Sequence, residues 1–298
     1  MNFILKRLSI SARARAAVTA EQRAKRTPNP EGLEVIPDVP YVSSDGSALA
    51  ADIYRPAGNH ERLPVVVMVH GGGLFAGDRK IDITFCQVLA GKGYLVFSIE
   101  YRLIDETDGC GEISDVNAGL SFVSKRLSAY GGDPRRVCVM AESAGAFLSV
   151  YAAAMAKSSE LADRIGSVPA ELTIRALVCF SGMFYTTRHD LIGLVYRSAL
   201  YGSHRKDKEY MRRMNPEHTD VISNLPPMLL TSSRGDFLRS YTLRYAKALR
   251  KNGHPYELLY CRRDKNLTHA FPSLQPYLPK SAEVLDSILQ WLDSIYVV

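Results

Sequence analysis

Three kinds of side chain in this 298-residue chain are spaced to do acyl chemistry: a serine, a histidine and an acid. The serine lies in Arg136-Val-Cys-Val-Met-Ala-Glu-Ser-Ala-Gly-Ala146, which begins as an apolar run of strand character. The run breaks at small residues around Ser143 and continues as the helix-prone Phe147-Leu-Ser-Val-Tyr-Ala-Ala-Ala154. This is the layout of a nucleophile elbow, a serine on a tight strand-to-helix turn. Such a turn strains the serine backbone and brings strand and helix close together, so its neighbours must be small. Ala141 and Gly145 meet that need, although the usual pattern is Gly-x-Ser-x-Gly and Ala141 departs from it. A serine hydroxyl is a poor nucleophile at neutral pH and needs an adjacent base. Without one, Ser143 would be an ordinary N-cap of the helix that follows.

Those residues must be carried by a scaffold, and the apolar pattern describes it. Pro64-Val-Val-Val-Met-Val69 is a continuous apolar run, as expected of a strand buried on both faces. Similar runs follow at Tyr94–Ile99, Val137–Met140, Ala176–Phe180, Met228–Leu230 and Tyr256–Tyr260. Helical patterns separate or follow them at about 81–92, 112–129, 144–157, 239–252 and 281–295. Alternating strands and helices imply crossovers, and so a mostly parallel central sheet with helices on both faces. Ahead of it, Leu33–Ile36 and Ala48–Tyr54 read as antiparallel edge strands, with a Ser44-Asp-Gly-Ser47 turn before the second. Residues 182–222 break the rhythm and are too long for a plain connection. They mix aromatics (Phe184, Tyr185, Tyr196, Tyr201, Tyr210) with a basic run through Arg205, Lys206, Lys208, Arg212 and Arg213. The stretch reads as a partly helical lid whose basic run is a solvated face.

On this scaffold His269, in Thr268-His-Ala-Phe271, follows the last strand in a loop able to reach the elbow. An imidazole, with an ordinary pKa near ~6.5, can take the serine proton and return it to a leaving group. Activity should therefore fall at low pH as His269 is protonated. His60, His189, His204, His218 and His254 lack such placement and read as surface or structural histidines. The imidazole needs an acid to fix its tautomer. Asp236, after the Met228 strand, and Asp264, closer in sequence, both qualify.

Composition excludes several function classes. Hydrophobic residues make up 46% and charged residues 23% of the chain, which is ordinary for a globular protein. No apolar run approaches the ~18 residues of a membrane span. The net charge of +6 is accounted for by residues 1–26, so the remaining body is balanced and offers no reason to expect nucleic acid. Five cysteines (Cys86, Cys110, Cys138, Cys179, Cys261) show neither CxxC spacing nor an even count. They argue against a disulfide framework or zinc site and for a reducing, cytoplasmic compartment. Residues 2–26 are helix-prone and end at Pro28 and Pro30. Their arginine-rich, acid-poor character also resembles a mitochondrial transit peptide, but a cap helix over the active site is the preferred reading.

Five features stand in a consistent order around the elbow: His70-Gly-Gly-Gly73, Tyr101-Arg-Leu103, Gly131-Gly-Asp-Pro134, Gly235-Asp236 and Thr268-His-Ala-Phe271. With Ser143-Ala-Gly145 they resemble the hormone-sensitive-lipase-like esterase branch of the α/β-hydrolase superfamily, from about Val42 to Leu292. Ala-Glu-Ser-Ala-Gly in place of Gly-Asp-Ser-Ala-Gly, Ala146 in place of a further glycine, and Leu74 where an aromatic often follows HGGG are departures that bear on pocket shape. Asp52-Ile-Tyr-Arg-Pro56 looks like an element common to several esterase branches. The resemblance implies an N-terminal helical cap segment at 1–30 and an α/β-hydrolase domain at 31–298 with the lid at about 182–222. It places the acid after the second-to-last strand, which selects Asp236 over Asp264. It implies a catalytic triad of Ser143, Asp236 and His269. The backbone N–H groups of Gly72, Gly73 and Ala144 would form the oxyanion hole, with His70 orienting the glycine loop. The expected activity is that of a serine carboxylesterase hydrolysing small carboxylic esters through an acyl-enzyme, with no metal or cofactor. Alternatives are an arylformamidase-type amidase and a non-catalytic binding protein on the same scaffold. The expected partner is a small-molecule ester; a homodimer is compatible with the sequence.

Overall fold

The computed structural model describes residues 31–59 and 61–297. The expected N-terminal cap at 1–30 and His60 lie outside the described residues. Eight strands form one sheet: β1 Leu33–Val42, β2 Ala48–Pro56, β3 Leu63–Val69, β4 Leu95–Ile99, β5 Gly132–Glu142, β6 Ala176–Phe180, β7 Met228–Ser233 and β8 Tyr256–Cys261. Their spatial order is β1-β2-β4-β3-β5-β6-β7-β8. β1 and β2 pair antiparallel, and β2 joins β4 antiparallel. The remaining neighbours are parallel.

Helices cover both faces because the strands alternate. Val65, Val67 and Val69 of β3 enter one core, while Val66 and Met68 enter the other. The first core receives Ile113, Val116 and Leu120 of α2 (Gly109–Arg126) and Phe147 and Tyr151 of α3 (Ser143–Met155). The second receives Phe85 and Leu89 of α1 (Ile83–Gly91) and Val284, Ile288 and Leu292 of α10 (Pro279–Tyr296). A short helix, α4 (Ser159–Ile165), follows α3 and is capped by the Ser158 hydroxyl. Sequence periodicity had not marked it, because seven residues are too few to show one.

The chain order reverses at β3: β4 lies on one side of it and β5 on the other. Open α/β sheets leave a crevice at such a point, outside the carboxyl ends of the strands. The glycine loop leaves β3 there and the elbow leaves β5. The insertion between β6 and β7 holds α5 (Leu191–Tyr201), α6 (Lys208–Arg213) and α7 (Thr219–Ile222). Its aromatics Phe184, Tyr185, Tyr196, Tyr201 and Tyr210 are buried. Arg205, Lys206, Lys208 and Arg212 are exposed, as a solvated face requires, while Arg213 is half-buried and paired with Glu209 at 3.0 Å. α8 (Arg239–Lys251) and α9 (Phe271–Leu274) follow β7 and β8.

Candidate active site

The elbow has the backbone its sequence demands. Ser143 stands at φ 48°, directly between the end of β5 and the first turn of α3. A Cβ at Gly145 would lie 2.4 Å from the Val69 carbonyl oxygen and 2.5 Å from that of His70. Glycine is needed there because α3 passes that close to β3. Position 141 is different. Ala141 is fully buried in register between Val69 and Cys179, and the sheet accommodates its methyl group.

His269 and Asp236 come together from two separate loops. The imidazole Nδ1 lies 2.7 Å from Asp236 Oδ1. With its proton on Nδ1 the ring donates to the carboxylate and leaves Nε2 able to accept. Asp236 is fully buried and also accepts from the Ser232 hydroxyl at 2.6 Å and the Leu238 N–H at 2.9 Å. Burial pushes its pKa up, but the hydrogen bonds from His269 and Ser232 outweigh that, and the carboxyl stays below its ordinary range. Asp264, the rival acid, is exposed and accepts instead from the Asn266 N–H at 2.7 Å.

Ser143 and His269 line one cavity of about 470 Å³, together with Gly72, Gly73 and Glu142. Its apolar wall is made by Ile81, Met183, Ile192, Tyr196, Leu238 and Leu274, with Phe237 at the rim. The insertion thus supplies Met183, Ile192 and Tyr196. Gly72 at φ 111° and Gly73 at φ 66° turn the loop across the cavity. A Cβ on Gly72 would fall 1.7 Å from the Ala76 carbonyl oxygen, so no other residue fits that turn. Ala144 follows Ser143 in the first turn of α3, where N–H groups have no partner within the helix.

The glycine loop is held from beneath. His70 is fully buried, with Nε2 3.0 Å from Glu100 Oε1 and Nδ1 2.8 Å from the Gly71 carbonyl. Burial lowers the imidazole pKa, but Glu100 more than reverses this and the net shift is upward. Glu100 in turn stays below its ordinary value despite burial, owing to His70 and Arg79. Arg79 continues the network, binding Glu100 at 3.1 Å, Asp52 at 2.9 Å and also Asp38. Tyr101 stacks on His70 at 4.2 Å and donates to its carbonyl at 3.0 Å. His70 is thus held against the glycine loop by these contacts, and Asp52 and Tyr101 belong to the same network. Arg102 instead binds Asp115, at 2.7 and 2.9 Å.

Two departures take on meaning here. Glu142 accepts from the Gly71 N–H at 2.9 Å, tying the elbow to the glycine loop. Leu74, where an aromatic was expected, is fully buried at φ 65°. The aromatic comes one residue later: Phe75 packs on Tyr196 at 4.7 Å. Backbone strain also gathers at this site. Of five described non-glycine residues with positive φ, four surround it: Leu74, Ser143, Ser181 and Ala270. The Ser181 hydroxyl accepts from the Ala270 N–H at 2.9 Å, and the Ser143 carbonyl accepts from the Met183 N–H at 2.8 Å. Sequence reasoning did not find Glu100, Glu142, Tyr196 or Phe237, whose parts here depend on contacts between distant segments.

This fold and this crevice define an α/β-hydrolase of the hormone-sensitive-lipase-like kind. The chain belongs to the BD-FAE family, whose model matches residues 51–243. It is similar to the isoprenylcysteine alpha-carbonyl methylesterase ICME of Arabidopsis thaliana, with 28% identity over 62% of this chain and 45% of that protein. It is likewise similar to the carboxylic ester hydrolase LipN of Mycobacterium tuberculosis, with 28% identity over 82% of this chain and 66% of that one. The matched part thus spans about half to two thirds of the length of these relatives. Among solved structures, esterase B from Lactobacillus rhamnosis superposes with a TM-score of 0.87 at 24% identity, covering 98% of this chain and 95% of that chain. At that identity the likeness is one of fold.

Proposed function

We propose that this protein is a serine carboxylesterase that hydrolyses small carboxylic esters through an acyl-enzyme. The observation that carries the reading is the 2.7 Å contact between His269 Nδ1 and the buried Asp236 carboxylate, on a cavity that Ser143 also lines. Ser143 Oγ attacks the ester carbonyl while His269 Nε2 takes its proton. The negative charge on the carbonyl oxygen is met by the N–H groups of Gly72, Gly73 and Ala144, each worth about 3 kcal/mol in such sites. Collapse of the tetrahedral adduct breaks the bond to the alcohol oxygen, which receives the proton from the imidazolium. Water then enters by the same route, His269 removes its proton, and the acid is released. Asp236 stays ionised throughout, stabilising the imidazolium rather than accepting its proton. The apolar wall suits a short acyl chain. The esterase names of the relatives support the reading.

We place the protein in a reducing, cytoplasmic setting, supported by five free cysteines of which Cys86, Cys138 and Cys179 are buried. Among the described residues no helix is long and apolar enough to cross a membrane. A homodimer would fit this reading.

The test compares hydrolysis of p-nitrophenyl acetate with that of N-formylkynurenine, beside a Ser143→Ala control and labelling by a fluorophosphonate. Ester turnover and labelling that both vanish in Ser143→Ala are expected. Preference for the formamide would make the protein an amidase, and absence of labelling would make it a binding protein.

A further inference from the structure

Phe237 directly follows the acid that holds His269. Among the described residues, it alone is a large apolar side chain that stands out into solvent, 70% exposed, and also lines the candidate cavity. Its ring centroid lies 4.3 Å from that of His269, with 33° between the planes. The ring is not on a loose loop. The Asp236 carboxylate accepts the N–H of Leu238 at 2.9 Å, and the Asp236 carbonyl accepts the N–H of Arg239 at 3.3 Å. The same carboxylate that orients the imidazole therefore fixes the backbone on either side of Phe237.

We infer that Phe237 is the platform for the alcohol part of the substrate, and that the protein prefers esters of aromatic or bulky apolar alcohols over those of small alcohols. The inference rests on the esterase reading above. A histidine that returns its proton to the leaving oxygen must come within about 3 Å of that oxygen. Whatever group the oxygen carries then lies beside the imidazole, and the exposed ring of Phe237 is what it meets. An aromatic face left in water is stabilised by covering it, and aromatic pairs gain further from offset or edge contacts. A methyl group covers little of that face, whereas a benzyl group can cover most of it. Phe237 takes no part in proton transfer. It is a specificity-determining residue acting through binding.

The test measures kcat/KM for benzyl acetate and methyl acetate in the wild-type chain, Phe237→Ala and Phe237→Trp. Dividing the two values within each protein and comparing the quotients between proteins cancels the intrinsic reactivity of the esters. The benzyl-over-methyl preference is expected to fall roughly three- to tenfold in Phe237→Ala, mainly through KM for the benzyl ester. Phe237→Trp should restore it. In the wild-type chain benzyl alcohol should inhibit more strongly than methanol. An unchanged preference in Phe237→Ala, or an equal loss on both esters, overturns the inference and leaves the esterase reading standing. Turnover of neither ester by the wild-type chain overturns both.

Discussion

The Tyr196 hydroxyl donates to the Gly73 carbonyl at 2.5 Å. A helix of the inserted segment thereby grips the glycine loop proposed to supply the oxyanion hole. A hydrogen bond of this kind contributes about 0.5–1.5 kcal/mol. If that contribution goes into holding the loop, Tyr196→Phe should lower kcat roughly three- to tenfold with little change in KM. The Phe75 packing is kept, so the melting temperature should hardly move. A fall in melting temperature without loss of kcat would assign Tyr196 to stability alone.

Asp236→Asn should lower kcat by on the order of 10³–10⁴, because an amide cannot hold the imidazole in the required tautomer. The same variant has a stability signature. The folded-state pKa of Asp236 is depressed, so its contribution is present above the unfolded value, near about 4, and is lost as pH falls through the folded value. The stability gap between the wild-type chain and Asp236→Asn should therefore close on acidification. Denaturant melts at pH 7 and pH 3 would show it, and a gap that widens in acid would contradict the assignment.

Positions 141 and 145 flank the elbow but should respond in opposite ways. Gly145→Ala pushes a methyl into two backbone carbonyls that cannot yield. It should cost about 1–3 kcal/mol of stability and remove most activity by prising α3 from β3. Ala141→Gly should keep activity within a few fold, since it removes only a methyl group at a position where such elbows usually carry glycine. Parallel chemical melts and ester assays of the two variants would decide.

Glu112, in α2, is fully buried, and neither of its carboxyl oxygens has a hydrogen-bond partner among the described residues. Burial, with the nearby charges of Asp108, Asp115 and Asp105, pushes its pKa well above the ordinary range. The unfolded chain releases this proton near pH ~4.3, whereas the folded chain keeps it. Stability is therefore drained as pH rises above that value. Glu112→Gln carries no such penalty and should melt several degrees higher at pH 8, with the margin shrinking towards pH 4. An equal margin at both pH values would mean that Glu112 is ionised in the fold.

Much of this site was legible in the sequence because its parts are local. A Gly-rich loop after a strand, a serine between strand and helix, and a histidine after the last strand are each visible within about ten residues. The parallel strands were legible because burial on both faces removes polar residues from them. β1 was read only to Ile36, yet it runs to Val42. Pro37 and Pro40 hide it, and an edge strand tolerates them around the irregularity between Ile36 and Val39. β5 begins at Gly132 rather than Val137, because Gly132 pairs with Leu63 even though polar residues follow it. The choice of Asp236 over Asp264 needed the family resemblance, since sequence distance favours Asp264, whereas it is Asp236 that hydrogen-bonds His269. Tyr196, Phe237 and Glu100 were beyond reach for one reason: each acts on a partner from another segment, and no periodicity records such a meeting.

The left-handed backbones of Leu74, Ser143, Ser181 and Ala270 set limits on how this protein can change. Each such conformation costs roughly 1–3 kcal/mol for a residue with a side chain. Selection for heat resistance alone would find its quickest gains at this rim, by admitting glycine or asparagine there. The same changes would slacken the geometry on which the proposed turnover depends, and at Ser143 would remove the candidate nucleophile itself. Directed evolution of a hardier variant should therefore recruit its substitutions from the far end of the sheet, and lineages that ignore this should cool in activity as they gain endurance.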